Sequence, residues 1–303
     1  MQSRDTTTAL VFLVSGMALF GSATPVSKLV GEDLPVFTAS LLRVLLGALA
    51  LAPFVAADLR DNVAKISRRD WLYLGLIALF GMVGFTLFLI TGMRFISGVA
   101  GSVVMSFTPA LTAAAAALFL GSPLGWRKGV AIALGVAGLV ILHLFKDHFG
   151  NTGSGAFYIG VGLVFAAICC EAAYTLIGKK VTDDLPPLTT SFLACVLSLP
   201  LFLVLAVFDV ALLDVAQAPA SAWIALLWWG IGTLGAGSAL WYSGLARAEG
   251  TTAAGFMAVM PLSALLFSYL VLGDEFHPVQ LAGIVLVLGS VGVMSWVHMS
   301  ERA

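Results

Sequence analysis

Residues 92–121 read GMRFISGVAGSVVMSFTPALTAAAAALFLG, and residues 244–273 read GLARAEGTTAAGFMAVMPLSALLFSYLVLG. Laid over one another at an offset of 152 they need no gap. Gly92, Gly98, Met105, Pro109, Leu118, Leu120 and Gly121 fall on Gly244, Gly250, Met257, Pro261, Leu270, Leu272 and Gly273. Shared leucines mean little in an apolar chain, but shared Gly and Pro fix backbone geometry. Trp71 falls on Trp223 at the same offset, and at 151 Lys28 and Pro35 fall on Lys179 and Pro186. The chain therefore reads as two related halves, residues 1–150 and 151–303.

Composition says what medium those halves occupy. Of 303 residues, 60% are hydrophobic and 10% charged, with a mean hydropathy of +1.04. Soluble domains carry about 45–50% apolar and about 25% charged residues, so a soluble enzyme and a disordered chain are both excluded. A net charge of −1 gives no polyanion-binding surface, which excludes a nucleic-acid binder. Cys169, Cys170 and Cys195 all fall inside apolar runs and read as small buried hydrophobes. No metal-ligand spacing is present, no cofactor motif appears, and no Walker-type lysine loop links the chain to ATP.

A hydrocarbon core of about 30 Å needs about 20 helical residues to cross it, and backbone groups in lipid must bond internally. Punctuation at charges, Pro and Gly predicts ten transmembrane helices, at 9–29, 35–57, 71–92, 97–119, 126–145, 156–177, 187–208, 222–245, 250–272 and 279–298. The fold class is thus all-α and integral to the membrane. The first segment reads as a retained anchor, since no small-residue cleavage pattern precedes it. Arg4, Arg60, Lys65, Arg68, Arg69, Arg127, Lys128, Lys179, Lys180, Arg247 and Arg302 gather at one set of span ends, against Lys28, Arg94 and Lys146 at the other. That asymmetry places both termini in the cytoplasm. Five spans per half is odd, so the second half enters from the opposite side, and the two form inverted repeats suited to alternating access.

The motifs resemble those of the drug/metabolite transporter superfamily, in its ten-helix EamA-type branch. The first span ends GSATPVSK (Gly21 to Lys28), followed by Pro35 and Leu41-Leu42-Arg43; the second half carries Gly244, Pro261 and Leu272-Gly-Asp-Glu275, with Gln280 and Gly283 opening the last span. Within that branch the chain looks most like bacterial inner-membrane exporters of aromatic amino acids, which also handle methyl viologen-type dications. The resemblance implies a non-enzymatic secondary transporter of the inner membrane. Its partners are a small-molecule substrate and the lipid bilayer, and one chain suffices for a pathway. The family's usual Leu-Gly-Glu is Leu120-Gly-Ser-Pro123 in the first half, so Glu275 alone inherits the acidic position.

Charges inside spans cost about 2.5–3.5 kcal/mol at a helix centre on insertion scales. Arg43 lies about 12 Å from one end of its predicted span and Glu171 about 9 Å from the end of its own, at about 1.5 Å per residue. A cation and an anion suit a zwitterion, Arg43 facing a carboxylate and Glu171 an ammonium; the alternative is that each only shapes the bundle. Pro109 and Pro261 are candidate hinges that free the carbonyls of Met105 and Met257 for a substrate ammonium or for a neighbouring helix. Tyr174 shares the face of Glu171. Together with Phe107, Trp241, Tyr242 and Phe256 it offers flat faces for an aromatic ring or, by cation–π attraction, for an organic cation. Gly81, Gly84, Gly230, Gly235 and Gly237 read as close-packing positions. A multidrug or dication exporter is the alternative on this fold. An intramembrane enzyme would need a nucleophile–base set that the spans lack.

Overall fold

The computed structural model describes residues 2–120, 125–144, 154–178, 185–214, 217–247, 256, 259–276 and 278–300. Their regular structure is entirely helical. The helices are α1 (Gln2–Asp33), α2 (Val36–Val55), α3 (Leu59–Ala64), α4 (Arg68–Ile77), α5 (Phe85–Met93), α6 (Gly98–Met105), α7 (Thr108–Leu120), α8 (Trp126–Leu144), α9 (Ser154–Gly178), α10 (Pro187–Ala206), α11 (Ala220–Leu227), α12 (Gly237–Leu245), α13 (Val259–Val271) and α14 (Pro278–Ser300). Two π-helical segments, Ala78–Gly84 and Trp228–Ala236, join α4 to α5 and α11 to α12 without a break.

Seven helices among the described residues are long and apolar enough to cross a bilayer: Thr7–Asp33, Val36–Val55, Arg68–Met93, Gly98–Phe119, Gly155–Gly178, Pro187–Ala206 and Ala220–Leu245. The fifth, ninth and tenth expected spans appear as the shorter apolar stretches Gly129–Gly138, Val259–Val271 and Leu281–Val293. Large apolar side chains point outward, Leu118 at 77% exposure and Phe119 at 75%. A helix that is apolar on its outer face needs lipid around it.

The first helix outruns its expected end at residue 29 because Lys28 and Glu32 lie one turn apart and pair at 3.0 Å; the charged turn stays helical to Asp33. It packs against α12 and α13, while α2 packs on α10, α5 on α9 and α8 on α14. Contacts are close where glycine permits them. A methyl group on Gly81 would sit 3.0 Å from the Tyr174 ring, and one on Gly230 would meet the Arg43 carbonyl oxygen at 2.9 Å. The glycines of the third and eighth spans thus do serve helix approach.

The two ends of the bundle are tied differently. At one end, Lys28 Nζ donates to the Met93 and Ile96 carbonyls at 3.3 and 3.1 Å, and Arg94 donates to the Gly31 and Leu34 carbonyls. Asp209, following α10, accepts from Phe37 N (2.6 Å), Thr38 N (3.0 Å) and Thr38 Oγ1 (2.7 Å) at the start of α2. Asp274, following α13, accepts from Val99 N at 2.8 Å at the start of α6. Burial pushes the Asp274 carboxyl up, against the pull of the Val99 N–H and Lys28. At the opposite end the bonds are local, as in the Ser67–Asp70 capping box and Arg247 to the Ser243 carbonyl. A bond between distant segments there runs from Asn62 Nδ2 to Thr189 Oγ1, at 3.3 Å.

Candidate functional site

The two charges predicted inside the spans occupy separate pockets that border the same helices. Arg43 on α2 is 5% exposed. Its Nη1 donates to Thr86 Oγ1 at 2.5 Å, and the guanidinium lies over the Trp229 ring with Cζ 4.5 Å from the centroid. Cys195 on α10 sits within electrostatic reach. Arg43 Nε and Trp229 Nε1 are buried donors with no hydrogen-bond partner. A stacked guanidinium gains cation–π attraction from the indole face, but its Nε remains short of an acceptor, which is costly in a buried setting.

Glu171 on α9 is half-buried. Its Oε2 lies 3.1 Å from Thr108 Oγ1, which also lies 2.7 Å from the Met105 carbonyl. A hydroxyl has one hydrogen to give, so it serves one of these two acceptors at a time. The helix is interrupted between α6 and α7, just ahead of Pro109, where Thr108 faces Glu171. Tyr174, one turn along α9, stands close to both Glu171 and Tyr242 of α12, and Tyr242 reaches Ser191 on α10.

Two helices contact both pockets. The continuous helix from α4 to α5 sets Gly81 under Tyr174 and Thr86 against Arg43. On α10, Ser191 faces Tyr242 and Cys195 lies near Arg43, one turn apart. The other expected positions have neighbours of their own. Phe107 is buried, stacks on Phe165 at 6.3 Å, and covers Gly135. Trp241 packs over Gly16. Met105 is buried and its carbonyl is the one shared by Thr108. Pro261 is buried on α13 and Phe256 is half-buried, while Met257 lies outside the described residues. Thr86 and Thr108 carry no mark in the sequence, and Trp229 only a faint one. Threonines are ordinary in apolar helices, and the only signal for Trp229 was its place away from a span end, where tryptophan usually sits.

A polytopic helical bundle that carries a basic and an acidic side chain inside its spans, the basic one with an unpartnered Nε, suits a membrane transporter. The chain belongs to the EamA-like transporter family, whose model matches residues 7–144 and again 158–296. It is 26% identical over 285 residues to the uncharacterized transporter YetK of Bacillus subtilis, covering 94% of this chain and 86% of the relative. It is 27% identical over 251 residues to an uncharacterized transporter of Archaeoglobus fulgidus, covering 78% and 87%. A crystal structure at 17% sequence identity shares the fold with a TM-score of 0.65, over 98% of this chain and 99% of the other. The protein is thus a multi-pass membrane transporter.

Proposed function

We propose that the chain exports small amphipathic metabolites, aromatic amino acids first among them, across the inner membrane by alternating access. In this reading ten spans form two inverted five-helix repeats, the boundary falls near residue 150, and both termini are cytoplasmic. The two successive matches of the family model support that division. So do the two π-helical segments, whose last residues, Gly84 and Ala236, stand 152 positions apart, at the offset of the sequence repeat.

The observation that carries the substrate class is the pair of incomplete hydrogen-bond sets. Arg43 Nε lacks an acceptor, and Thr108 has one hydrogen for the Met105 carbonyl and the Glu171 carboxylate. A zwitterion supplies what each lacks: its carboxylate accepts from Arg43, and its ammonium donates to Glu171 and the Met105 carbonyl. Tyr174 and Tyr242 supply aromatic faces for the side chain. Pro109 and Pro261 act as hinges in the rocking of the halves. The same tyrosines beside Glu171 also favour a second reading, an organic dication held by cation–π attraction, which needs no Arg43.

The test is uptake of radiolabelled phenylalanine, tryptophan and alanine into liposomes holding the purified protein, with and without a pH gradient. Saturable aromatic uptake that falls about tenfold in Glu171→Gln and in Arg43→Gln, the effect of losing one charge-assisted bond, supports the amino-acid reading. Uptake of methyl viologen alone, lost only in Glu171→Gln, replaces it with the dication reading.

A further inference from the structure

The helices that begin each half's second span start alike, as α11 also does after Pro219. Proline stands at the N-cap of both α2 (Pro35) and α10 (Pro186), and in neither helix does this residue form a side-chain cap. The first N–H groups of such a helix need acceptors from elsewhere. For α2 the acceptor is Asp209, which takes Phe37 N, Thr38 N and Thr38 Oγ1. This carboxylate comes from the far end of α10, 171 residues along the chain from Thr38.

At the offset of 151, Pro35 falls on Pro186, Thr38 on Thr189, Ser40 on Ser191, and Asp58 on Asp209. Asp58 follows α2 as Asp209 follows α10. It is exposed, and its side chain makes no cap. Thr189 is buried, and the hydrogen bond its side chain makes to the other half comes from Asn62, four residues beyond Asp58. Leu59 and Val63 pack in one cluster with Leu185, Leu188 and Leu193, so this segment already lies against the start of α10.

We propose that Asp58 and Asp209 are alternating latches. In the structure Asp209 is engaged on α2 and Asp58 is free of α10. In the opposite conformation Asp58 accepts from Leu188 N, Thr189 N and Thr189 Oγ1, and Asp209 lets go of α2. Each carboxylate closes one face of the membrane by capping the proline-started helix of the other half. The inference rests on the inverted-repeat reading under Proposed function, because the two latches must lie on opposite faces.

The test is amide hydrogen exchange of the full chain in lipid nanodiscs, which needs no substrate. Asp209→Asn leaves one acceptor where three donors converge. Exchange at residues 37–40 is expected to quicken about tenfold, as for a lost cap, and exchange at 188–191 to slow. Adding Asp58→Asn must abolish that slowing. Thr38→Val, which removes one of the three bonds, opens the same latch should Asp209→Asn weaken the fold. Protection at 188–191 that persists in the double variant overturns the proposal, as does its absence in both opening variants. Impermeant maleimide labelling of Ala57→Cys and Val210→Cys, read above the background of native cysteines, tests the premise separately. Labelling from one side only for both positions sinks the inverted repeat, whereas the liposome assay alone decides the substrate.

Discussion

The two ends of the bundle are built from similar material and held in different ways. At the end carrying Lys28, Arg94, Asp209 and Asp274, charged side chains reach across helices to backbone groups that helix ends leave unpaired. At the other end, the hydrogen bonds of Arg247 and Asp70 stay within a turn, and Arg127 and Arg247 meet other helices through the rings of Trp296 and Phe12. Charge alone therefore does not tie helices to one another by hydrogen bonds; what matters is whether the charge meets a helix terminus of a different segment. The end with more positive charge is the looser one in this sense, that fewer of the hydrogen bonds described there cross between helices.

That contrast can be broken by substitution. Asp209→Ala removes the acceptor for three donors, two of them buried, and is expected to cost about 2–3 kcal/mol, read as a lowered Tm in detergent; a loss no larger than that of an exposed acid on α3 would refute the contrast. Asp274→Asn has a smaller effect that depends on pH. Because the folded carboxyl titrates above its ordinary value, the native state holds its proton more tightly, and stability falls as pH rises from the unfolded value through the folded one. The amide keeps an acceptor for Val99 N and removes that slope, so the wild-type and variant Tm curves should converge in acid and separate as pH rises. Asn62→Ala, which loses one 3.3 Å bond at the looser end, should change stability by about 0.5 kcal/mol or less. A loss equal to that of Asp209→Ala would mean the second end is also locked.

Much of the architecture was legible because the bilayer imposes it. Apolar runs of about 20 residues must be helices in lipid, and the helices lie where those runs lie. The ends were less legible: α1 continues past residue 29 because Lys28 and Glu32 satisfy one another. The π-helical turns had only an indirect sign, the glycines around residues 81–84 and 230–237. A widened turn follows from how neighbours press on a helix and not from its own propensity. Within the site, Arg43, Glu171 and Tyr174 stand out as charge or aromatic hydroxyl in apolar surroundings. Thr86, Thr108 and Trp229 gain their roles only by proximity.

The sequence by itself determined the medium, the helical class, the motif shared at an offset of 152 and the two internal charges, since each follows from composition, period or the cost of a charge in lipid. The tertiary structure alone decided the partners: that Arg43 stacks on Trp229, 186 positions away in the sequence, that Thr108 divides its hydrogen between Met105 and Glu171, and that Asp209 caps α2. Hydropathy is a property of each segment, whereas a hydrogen bond between distant segments depends on crossing angles and close approaches that no single segment encodes.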